Sequence, residues 1–578
     1  MDMARRHPLL AALSLGALAA TGFAPLGLWP ITLLCVAGLM WLMDLQHQPS
    51  GHAALPAATS LANGSASLAP LPQAGGVGGG PRHAFLLGWA FGVGHFTVGN
   101  NWIAHAFVYQ DAMPHWLGYF AVAALSLYLA IYPGLATLGL HLARTRWPGL
   151  AATPFFAALW IVTEYGRATI FTGFAWDPLG MIWLDTGVDQ SARIIGTYGL
   201  SGLAIIAGGA LLALFRRRWH VGAPLLATLG ALAILGHIDM GGDAAKSGIP
   251  ITPITVVQPN INQNEKYDPA LEEENFTKLA QLTGPSSPDK PRLIFWPEAA
   301  LPAWLDMEPE WLERVAALLG PNDLLMTGGA KVYFRERGKG FYKDRTLVGA
   351  NNSAWVVTPD ARLIARYDKA HLVPYGEYLP MRSLLEPLGL SRLVPGDADF
   401  WPGPGPRSLL LPAAGAEAGC EKVGTGFSQQ IPRPQNGGAC PPSRPAIKMG
   451  AQICYEIIFS GQVVHRANRP AFLYNPSNDA WFGSWGPPQH LAQARMRAIE
   501  EAMPVIRSTP TGISAVIDAR GALVASIPHH QAGSIDAFLP TASPPTLFSR
   551  FGNMLPLAFA AGLGALTLLL LARRGSNR

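Results

Sequence analysis

Three residues close strand-like runs, and each carries a group suited to acyl chemistry. Glu298 ends "RLIFWPE", Lys369 lies in "RYDKAHL" and Cys454 follows the apolar run in "MGAQICYE". A glutamate can take a thiol proton, a lysine can stabilise the oxyanion of a tetrahedral intermediate, and a cysteine can hold an acyl group as a thioester. Each signal alone is weak. A strand-terminal Glu after Trp-Pro is more often a cap than a base, a loop Lys is usually solvated, and a buried Cys is usually a small hydrophobe. Loops at strand ends are where α/β folds gather reactive groups, so the three together carry more than any one. No CxxC pair or Cys/His cluster has metal-ligand spacing, so neither a metal nor a cofactor is expected.

The elements that must position these groups begin near residue 251. "ITPITVVQPNI", "RLIFWPEAAL" and "DLLMTGGAKV" read as buried strands, the last with a glycine-rich exit. "NNSAWVVTPDARLIARYDKAHLVPYGEYLP" reads as two strands around a Pro-Asp turn, followed by a loop. "AIKMGAQICYE" and "AFLYNPSNDAWFG" are further strands running into loops, and "SAVIDARGALVASIP" is a hairpin turning near Arg520 and Gly521. Helices are expected at 272–282, 309–319 and through "PQHLAQARMRAIEEAMPVIRS". This mixture predicts a layered α/β domain over residues 249–545. Residues 413–445, rich in Gly, Pro, Ser and Gln, read as a surface insertion. Its Cys420 and Cys440 could pair in an oxidising compartment or stay as free thiols; both readings stand open.

The rest of the chain is greasy. Of 578 residues, 49% are hydrophobic and 14% charged, well below the roughly 25% charged of average soluble proteins. Eight apolar segments are candidate membrane crossings: 9–23, 29–43, 84–107, 116–142, 154–171, 194–215 and 221–237, then 554–571. They divide the chain into a membrane bundle of seven helices (1–248) and a C-terminal eighth (546–578). The first follows Arg5 and Arg6 but has no clear cleavage site after it, so it reads as a retained helix rather than a signal peptide. Arginines gather in alternate loops, at Arg82, Arg144, Arg146, Arg216 to Arg218 and Arg573 onward. That asymmetry puts both termini inside and residues 240–550 outside. The net charge of +5 is dispersed between apolar segments, which argues against nucleic-acid binding. Residues 46–81 form a low-complexity Ala/Gly/Ser/Pro stretch, read as a flexible inside loop.

Glu298, Lys369 and Cys454 resemble, in this order, the Glu-Lys-Cys triad of the nitrilase (carbon–nitrogen hydrolase) superfamily. The surrounding words are more specific. "VQPNI", "WPEAALP", "YDKAHLVPYGEYLP", "CYEIIF", "NPSNDAWFG" and "ARMRAIEEAMPVIRSTPTGISAVID" resemble the apolipoprotein N-acyltransferase family. So do "FLLGWAFGVGHFTVGNNWIAHAF" and "EYGRATIFTGFAWDPLG" in the apolar half. The resemblance implies an α-β-β-α sandwich in the periplasm, mounted on a bundle in the bacterial inner membrane. It implies Cys454 as nucleophile, Glu298 as general base and Lys369 as oxyanion-stabilising cation. It implies supporting roles for Glu377, Tyr455 and Glu456, and substrate contact for Tyr267, Asn478 and Trp481. Two departures are visible: Tyr267 stands where the family often has Trp, and Pro510 where it often has Asn. The implied reaction is ping-pong. An acyl chain passes from the sn-1 position of a phospholipid, expected to be phosphatidylethanolamine, to the cysteine. It then passes to the α-amine of a diacylglyceryl apolipoprotein. A monomer suffices.

Both substrates are lipid-anchored and water must lose to an amine, so a greasy entrance is expected; Trp296, Trp304, Trp481, Phe482 and Trp485 are its candidates beside ordinary core packing. Glu164 and Arg167, three apart on one helix, read as a mutual pair near the outer interface. His95, His105, Asn100 and Asn101 read as interhelical hydrogen-bonding groups. Two rival readings are a membrane-anchored amidase using the same triad, and a transporter or sensor with a degenerate ligand-binding domain.

Overall fold

The computed structural model describes residues 5–47, 80–109, 113–239, 252–287, 290–337, 344–388, 399–413 and 446–576. Cys420, Cys440 and nearly all of the two low-complexity stretches lie outside them.

The apolar half is helical. Its helices are α1 (Pro8–Ala19), α2 (Trp29–His47), α3 (Pro81–Gly99), α4 (Leu117–Leu129), α5 (Ile131–Arg146), α6 (Ala152–Thr169), α7 (Ala192–Phe215) and α8 (Trp219–Asp239). Among the described residues, five stretches are long and apolar enough to cross a membrane: Trp29–Gln46, Leu117–Arg146, Val188–Phe215, Trp219–Ile238 and Met554–Arg574. The first expected crossing is a shorter apolar helix, Pro8–Gly22. The third does not run to 107 as one α-helix. It stops at Gly99 and continues as a 3-10 stretch, Asn101–Tyr109, whose Trp102 and Tyr109 pack on Phe482 and Trp481 of the second half. The fourth bends between α4 and α5 at Ala130, just before Pro133, whose ring cannot continue the ladder. In α7 the backbone breaks helical geometry at Gly196 (φ 65°), where a Cβ would meet the Phe548 ring at 2.3 Å. Only glycine accepts both that angle and that ring.

The second half holds two six-stranded sheets. Its strands are β1 (Pro253–Gln258), β2 (Leu293–Phe295), β3 (Leu324–Arg337), β4 (Asp344–Val357), β5 (Leu363–Asp368), β6 (Ser408–Leu411), β7 (Ile447–Ala451), β8 (Phe472–Pro476), β9 (Val505–Ser508), β10 (Ser514–Ile517), β11 (Leu523–Ile527) and β12 (Gly533–Phe538). The sheets run β12-β1-β2-β3-β4-β5 and β11-β10-β9-β8-β7-β6. Central pairs β1–β2, β2–β3, β7–β8 and β8–β9 are parallel, and β1, β2, β8 and β9 are buried along nearly their whole length.

Alternation sorts their side chains. Val256, Leu293, Phe295, Leu324 and Met326 point into the space between the sheets, where Phe295 meets Phe472 and Tyr474. Val257, Ile294, Trp296 and Leu325 point the other way, beneath helices α9 (Glu272–Thr283) and α10 (Pro309–Ala316). Burying each such side chain contributes about 2 kcal/mol. The outer face of the second sheet is covered by α11 (Gly486–Glu501). The layers are thus α-β-β-α, as expected. Helix α12 (Leu547–Phe551) then leads the chain back to the apolar α13 (Met554–Ser576). One correction concerns β3: Gly328 and Gly329 are not an exit but continue the strand, paired with Ala354 and Ser353 of β4.

Candidate active site

The two sheets bring the reactive groups together from opposite layers. Glu298 follows β2 and Lys369 follows β5 on the first sheet; Cys454 follows β7 on the second. Glu298, Lys369, Glu377 and Cys454 are all buried.

Glu298 sits in a sharp turn, with Ala299 after it in the left-handed region (φ 45°). This turn rests on β3 at Gly328, where a Cβ would come within 2.7 Å of Glu298 Cα. Lys266 Nζ donates to the Glu298 carbonyl oxygen (3.0 Å) and holds the turn from the other side. Asn352 Nδ2, on β4, donates to Glu298 Oε1 (2.7 Å) and to Glu377 Oε1 (2.8 Å). Glu298 Oε2 has no hydrogen-bond partner among the described residues. One carboxylate oxygen is therefore tied and the other is open for a proton.

Lys369 Nζ lies 3.0 Å from Glu377 Oε1 and 3.8 Å from Glu298 Oε1. Burial works against its charge, but Glu377 and then Glu298 outweigh it and push its pKa up, so Lys369 is a fixed cation. Glu377 is oriented in turn by the Val373 N–H on Oε2 (2.8 Å).

Cys454 occupies a strained elbow. Its φ is 51°, unusual for a side chain with a Cβ, at an expected cost of about 1 to 3 kcal/mol. The short 3-10 turn Cys454–Ile458 follows at once. Burial pushes the thiol well above its usual range; Glu298 adds to this, while Lys369 and the Asn478 N–H on the sulfur oppose it. The resting group is a neutral thiol, which needs a base in order to attack.

Glu456 ties the layers. Its Oε2 accepts the Ile453 N–H (2.7 Å), just before the nucleophile. Its Oε1 accepts from Tyr367 Oη (2.8 Å) and from the N–H groups of Ala370 (2.7 Å) and His371 (3.1 Å), just after Lys369. Burial pushes the carboxyl up to about 7 against those backbone hydrogen bonds. Tyr455 turns towards the helical half: its hydroxyl donates to Gly173 O (3.3 Å) and its ring packs on Phe459.

The rim residues divide. Tyr267 is 57% exposed, beside the Lys266 ammonium. Asn478 Nδ2 donates to Gln263 Oε1 (2.8 Å), linking the loop after β8 to the loop that carries Lys266. Trp481 packs on Tyr109 of the 3-10 stretch. Of the aromatic entrance candidates, Trp304 is exposed. Trp296 is core, fully buried and donating to Thr283 (2.9 Å). Phe482 is also core, packed against Trp102, Trp176 and His490. Pro510 contributes its carbonyl, which accepts the Asn260 N–H (2.8 Å) and pins the same loop.

Sequence reasoning missed Asn352, Lys266 and the buried group behind the nucleophile. There His490 Nε2 donates to Cys454 O (3.0 Å), and Arg507 pairs with Asp479 (2.6 Å). The only sequence signals were polar residues inside otherwise apolar strands, as in "NNSAW", and a lysine beside the noted Tyr267. Glu164 and Arg167 pair loosely at 3.9 Å. Glu164 also accepts the Leu179 N–H, and Arg167 donates to the carbonyls of Phe174 and Trp176. Both therefore brace the loop after α6. Of the other bundle polar groups, His105 meets Tyr109 (3.2 Å), Asn101 donates to Val98 O (2.7 Å), and His95 lies among Phe23, Phe91 and Phe96. Among the described residues no cluster of His, Cys, Asp and Glu could hold a metal.

Two facing sheets with a glutamate, a lysine and a cysteine at three strand ends define a carbon–nitrogen hydrolase domain, here joined to an apolar helical half. Residues 254–542 match the carbon-nitrogen hydrolase family model, and residues 15–210 match that of the apolipoprotein N-acyltransferase N-terminal domain. The apolipoprotein N-acyltransferase of Rhodopseudomonas palustris is 32% identical over 97% of this chain and 95% of its own. That of Bradyrhizobium diazoefficiens is 33% identical over 98% and 94%, and that of Caulobacter vibrioides 33% over 82% and 84%. Among solved structures, a nitrilase-superfamily protein of Saccharomyces cerevisiae, Nit3, covers 53% of this chain and 95% of its own at 18% identity, with a TM-score of 0.28. The chain belongs to the apolipoprotein N-acyltransferase family. An amidase reading accounts for the carbon-nitrogen hydrolase match alone and leaves the match of residues 15–210 unexplained.

Proposed function

We propose that the chain transfers an acyl chain from the sn-1 position of a phospholipid, phosphatidylethanolamine first among them, to the N-terminal α-amine of a diacylglyceryl apolipoprotein, in two steps through Cys454. In the first step Glu298 Oε2 takes the thiol proton as Sγ attacks the ester carbonyl. Lys369 stabilises the oxyanion. Glu298 then returns the proton to the departing glycerol oxygen, and a lysophospholipid leaves a thioester on Cys454. In the second step the apolipoprotein amine attacks that thioester and gives a proton to Glu298. The amide product forms, and the proton goes back to the sulfur. Glu377 and Asn352 hold the cation and the base, Glu456 and Tyr455 hold the nucleophile segment, and Tyr267, Asn478 and Trp481 line the approach.

One observation carries this reading. A strained, buried cysteine closes a strand of one sheet, and a buried glutamate, its Oε1 3.8 Å from a buried lysine and its Oε2 unpartnered among the described residues, closes a strand of the other. The arginine pattern of the sequence supports eight crossings, with both termini cytoplasmic and the catalytic domain (249–545) in the periplasm of a bacterial inner-membrane protein. All the named groups come from one chain, which fits a monomer.

The test is the intact mass of the detergent-purified protein after incubation with phosphatidylethanolamine, before and after neutral hydroxylamine, with Cys454→Ala alongside. A fatty-acyl gain that hydroxylamine removes and Cys454→Ala lacks is the expected result. No gain with a Cys454 still open to thiol reagents would overturn the donor and the thioester together.

A further inference from the structure

Helix α11 covers the second sheet, yet one face of it is polar and fully buried. Gln489, His490, Gln493, Arg497 and Glu500 have no exposed surface. Their spacing of roughly one helical turn puts them on one stripe. A core helix normally presents Leu or Ala in such a stripe, so these side chains need partners.

Gln493 has no hydrogen-bond partner among the described residues; the partners of the other four lie on two sides at once. Towards the nucleophile, His490 Nε2 donates to Cys454 O (3.0 Å), Arg497 Nη1 donates to Ile458 O (3.1 Å), and Glu500 Oε1 accepts from Ser460 Oγ (2.7 Å). Towards the helical half, Gln489 Oε1 accepts from Trp176 Nε1 (2.8 Å), and Gln489 Nε2 donates to Gly99 O (3.2 Å). Arg497 and Glu500 both engage Thr197, beside the break in α7. The same helix therefore grips the segment that begins at Cys454 and the bundle beneath it.

His490 is the member that reaches the nucleophile residue itself. Burial, then the neighbouring Arg507, push its imidazole pKa down, against the opposing pull of Asp479 and the Cys454 carbonyl. Cys454 O can only accept, so Nε2 carries a proton and donates to it, while Nδ1 lies 2.9 Å from Asp479 Oδ1 and 3.1 Å from Arg507 Nη2. Arg507 in turn holds Asp479, which follows Asn478, the residue whose N–H meets the Cys454 sulfur.

We propose that α11 sets the geometry of Cys454 from the membrane side, with His490 as its positioning residue, so that the seat of Trp176 in the helical half is felt at the nucleophile. This rests on the reading of Cys454 as the acylated residue. The strained φ at Cys454 needs an outside hold, and among the described residues the only side-chain donor to its carbonyl is His490.

The experiment measures single-turnover acylation of the full-length protein at saturating phosphatidylethanolamine, by intact mass, for wild type, Cys454→Ala, His490→Asn, His490→Gln and Trp176→Phe. Glutamine can place an N–H near the Nε2 position; asparagine cannot reach Cys454 O. Loss of a buried hydrogen bond that positions a reacting group predicts acylation about thirtyfold slower in His490→Asn. His490→Gln should recover to within about fivefold of wild type, a rescue that a merely space-filling role would not give. Trp176→Phe keeps an aromatic side chain but loses the indole N–H that bonds Gln489, and should slow acylation about threefold to tenfold with the half-saturating lipid concentration unchanged. Equal losses in His490→Asn and His490→Gln, or a His490→Asn rate close to wild type, would overturn the positioning role. A Trp176→Phe rate indistinguishable from wild type would overturn the coupling, and this variant decides alone should His490→Asn not fold. Absence of any hydroxylamine-labile acyl group on wild type would instead sink the thioester reading, and the proposal with it.

Discussion

Lys369 stands closer to Glu377 than to Glu298, 3.0 Å against 3.8 Å. The cation is thus anchored by Glu377 rather than by the proposed base, Glu298, which lies farther from it. Asn352 enforces that division by donating to one oxygen of each carboxylate. A lysine held by Glu298 alone would have to release it at each proton transfer; held by Glu377, it can stay in place through both steps.

The three groups proposed to do the chemistry, Cys454, Glu298 and Lys369, should differ in what their loss removes. Cys454→Ala should form no acyl-enzyme. Glu298→Gln and Lys369→Met should form it, but about two to four decades more slowly, the range for a general base and for an oxyanion donor. Stopped incubations read by intact mass check this, and near-normal acylation in either slow variant would refute its assigned role.

Asn352→Leu should leave two carboxylates facing each other beside one lysine. Removing a hydrogen bond to a charged group costs about 1.5 to 3 kcal/mol, so acylation should fall about tenfold to a hundredfold. Circular dichroism and detergent monodispersity should stay normal, because Asn352 is only part-buried.

Glu456 makes stability depend on pH. Its folded-state pKa, about 7, exceeds the ordinary glutamate value of 4.5, so the folded protein holds a proton that the unfolded chain has lost. Stability from this group is complete below about 4.5 and is lost as pH rises through about 7. The melting temperature in detergent should fall across that window, and Glu456→Gln should flatten the fall. An unchanged pH profile in Glu456→Gln would show that another group titrates there.

Gly328→Ala should push the base out of place. The added methyl would sit 2.7 Å from the Glu298 Cα and the Ala299 nitrogen, which are backbone atoms with little room to yield. We expect acylation to drop at least tenfold while lipid binding persists, seen as a lower maximal rate at an unchanged half-saturating lipid concentration.

The strand ends bearing Glu298, Lys369 and Cys454 were legible because strand patterning and loop chemistry are local. The two-sheet layering was legible only through the resemblance, since period-two alternation does not say how many sheets share the strands. Asn352 and His490 were not legible, because their partners lie 54 and 36 residues away and only folding brings them together. Trp296 shows a related limit: an apolar side chain reads the same whether it faces lipid or a helix. The mostly apolar stretch 84–107 reads as one helix, and the change of helix type after Gly99 falls at its polar pair Asn100 and Asn101, of which Asn100 is buried.

Glu298 and Lys369 ride on one sheet, and Cys454 on the other. The gap that a proton must cross is therefore set by the thickness of the sandwich, as the jaws of a calliper are set by its beam. Phe295 and Tyr474 are part of that thickness. Trimming either would let the jaws shift, and the chemistry would register a change in packing that touches no reacting atom.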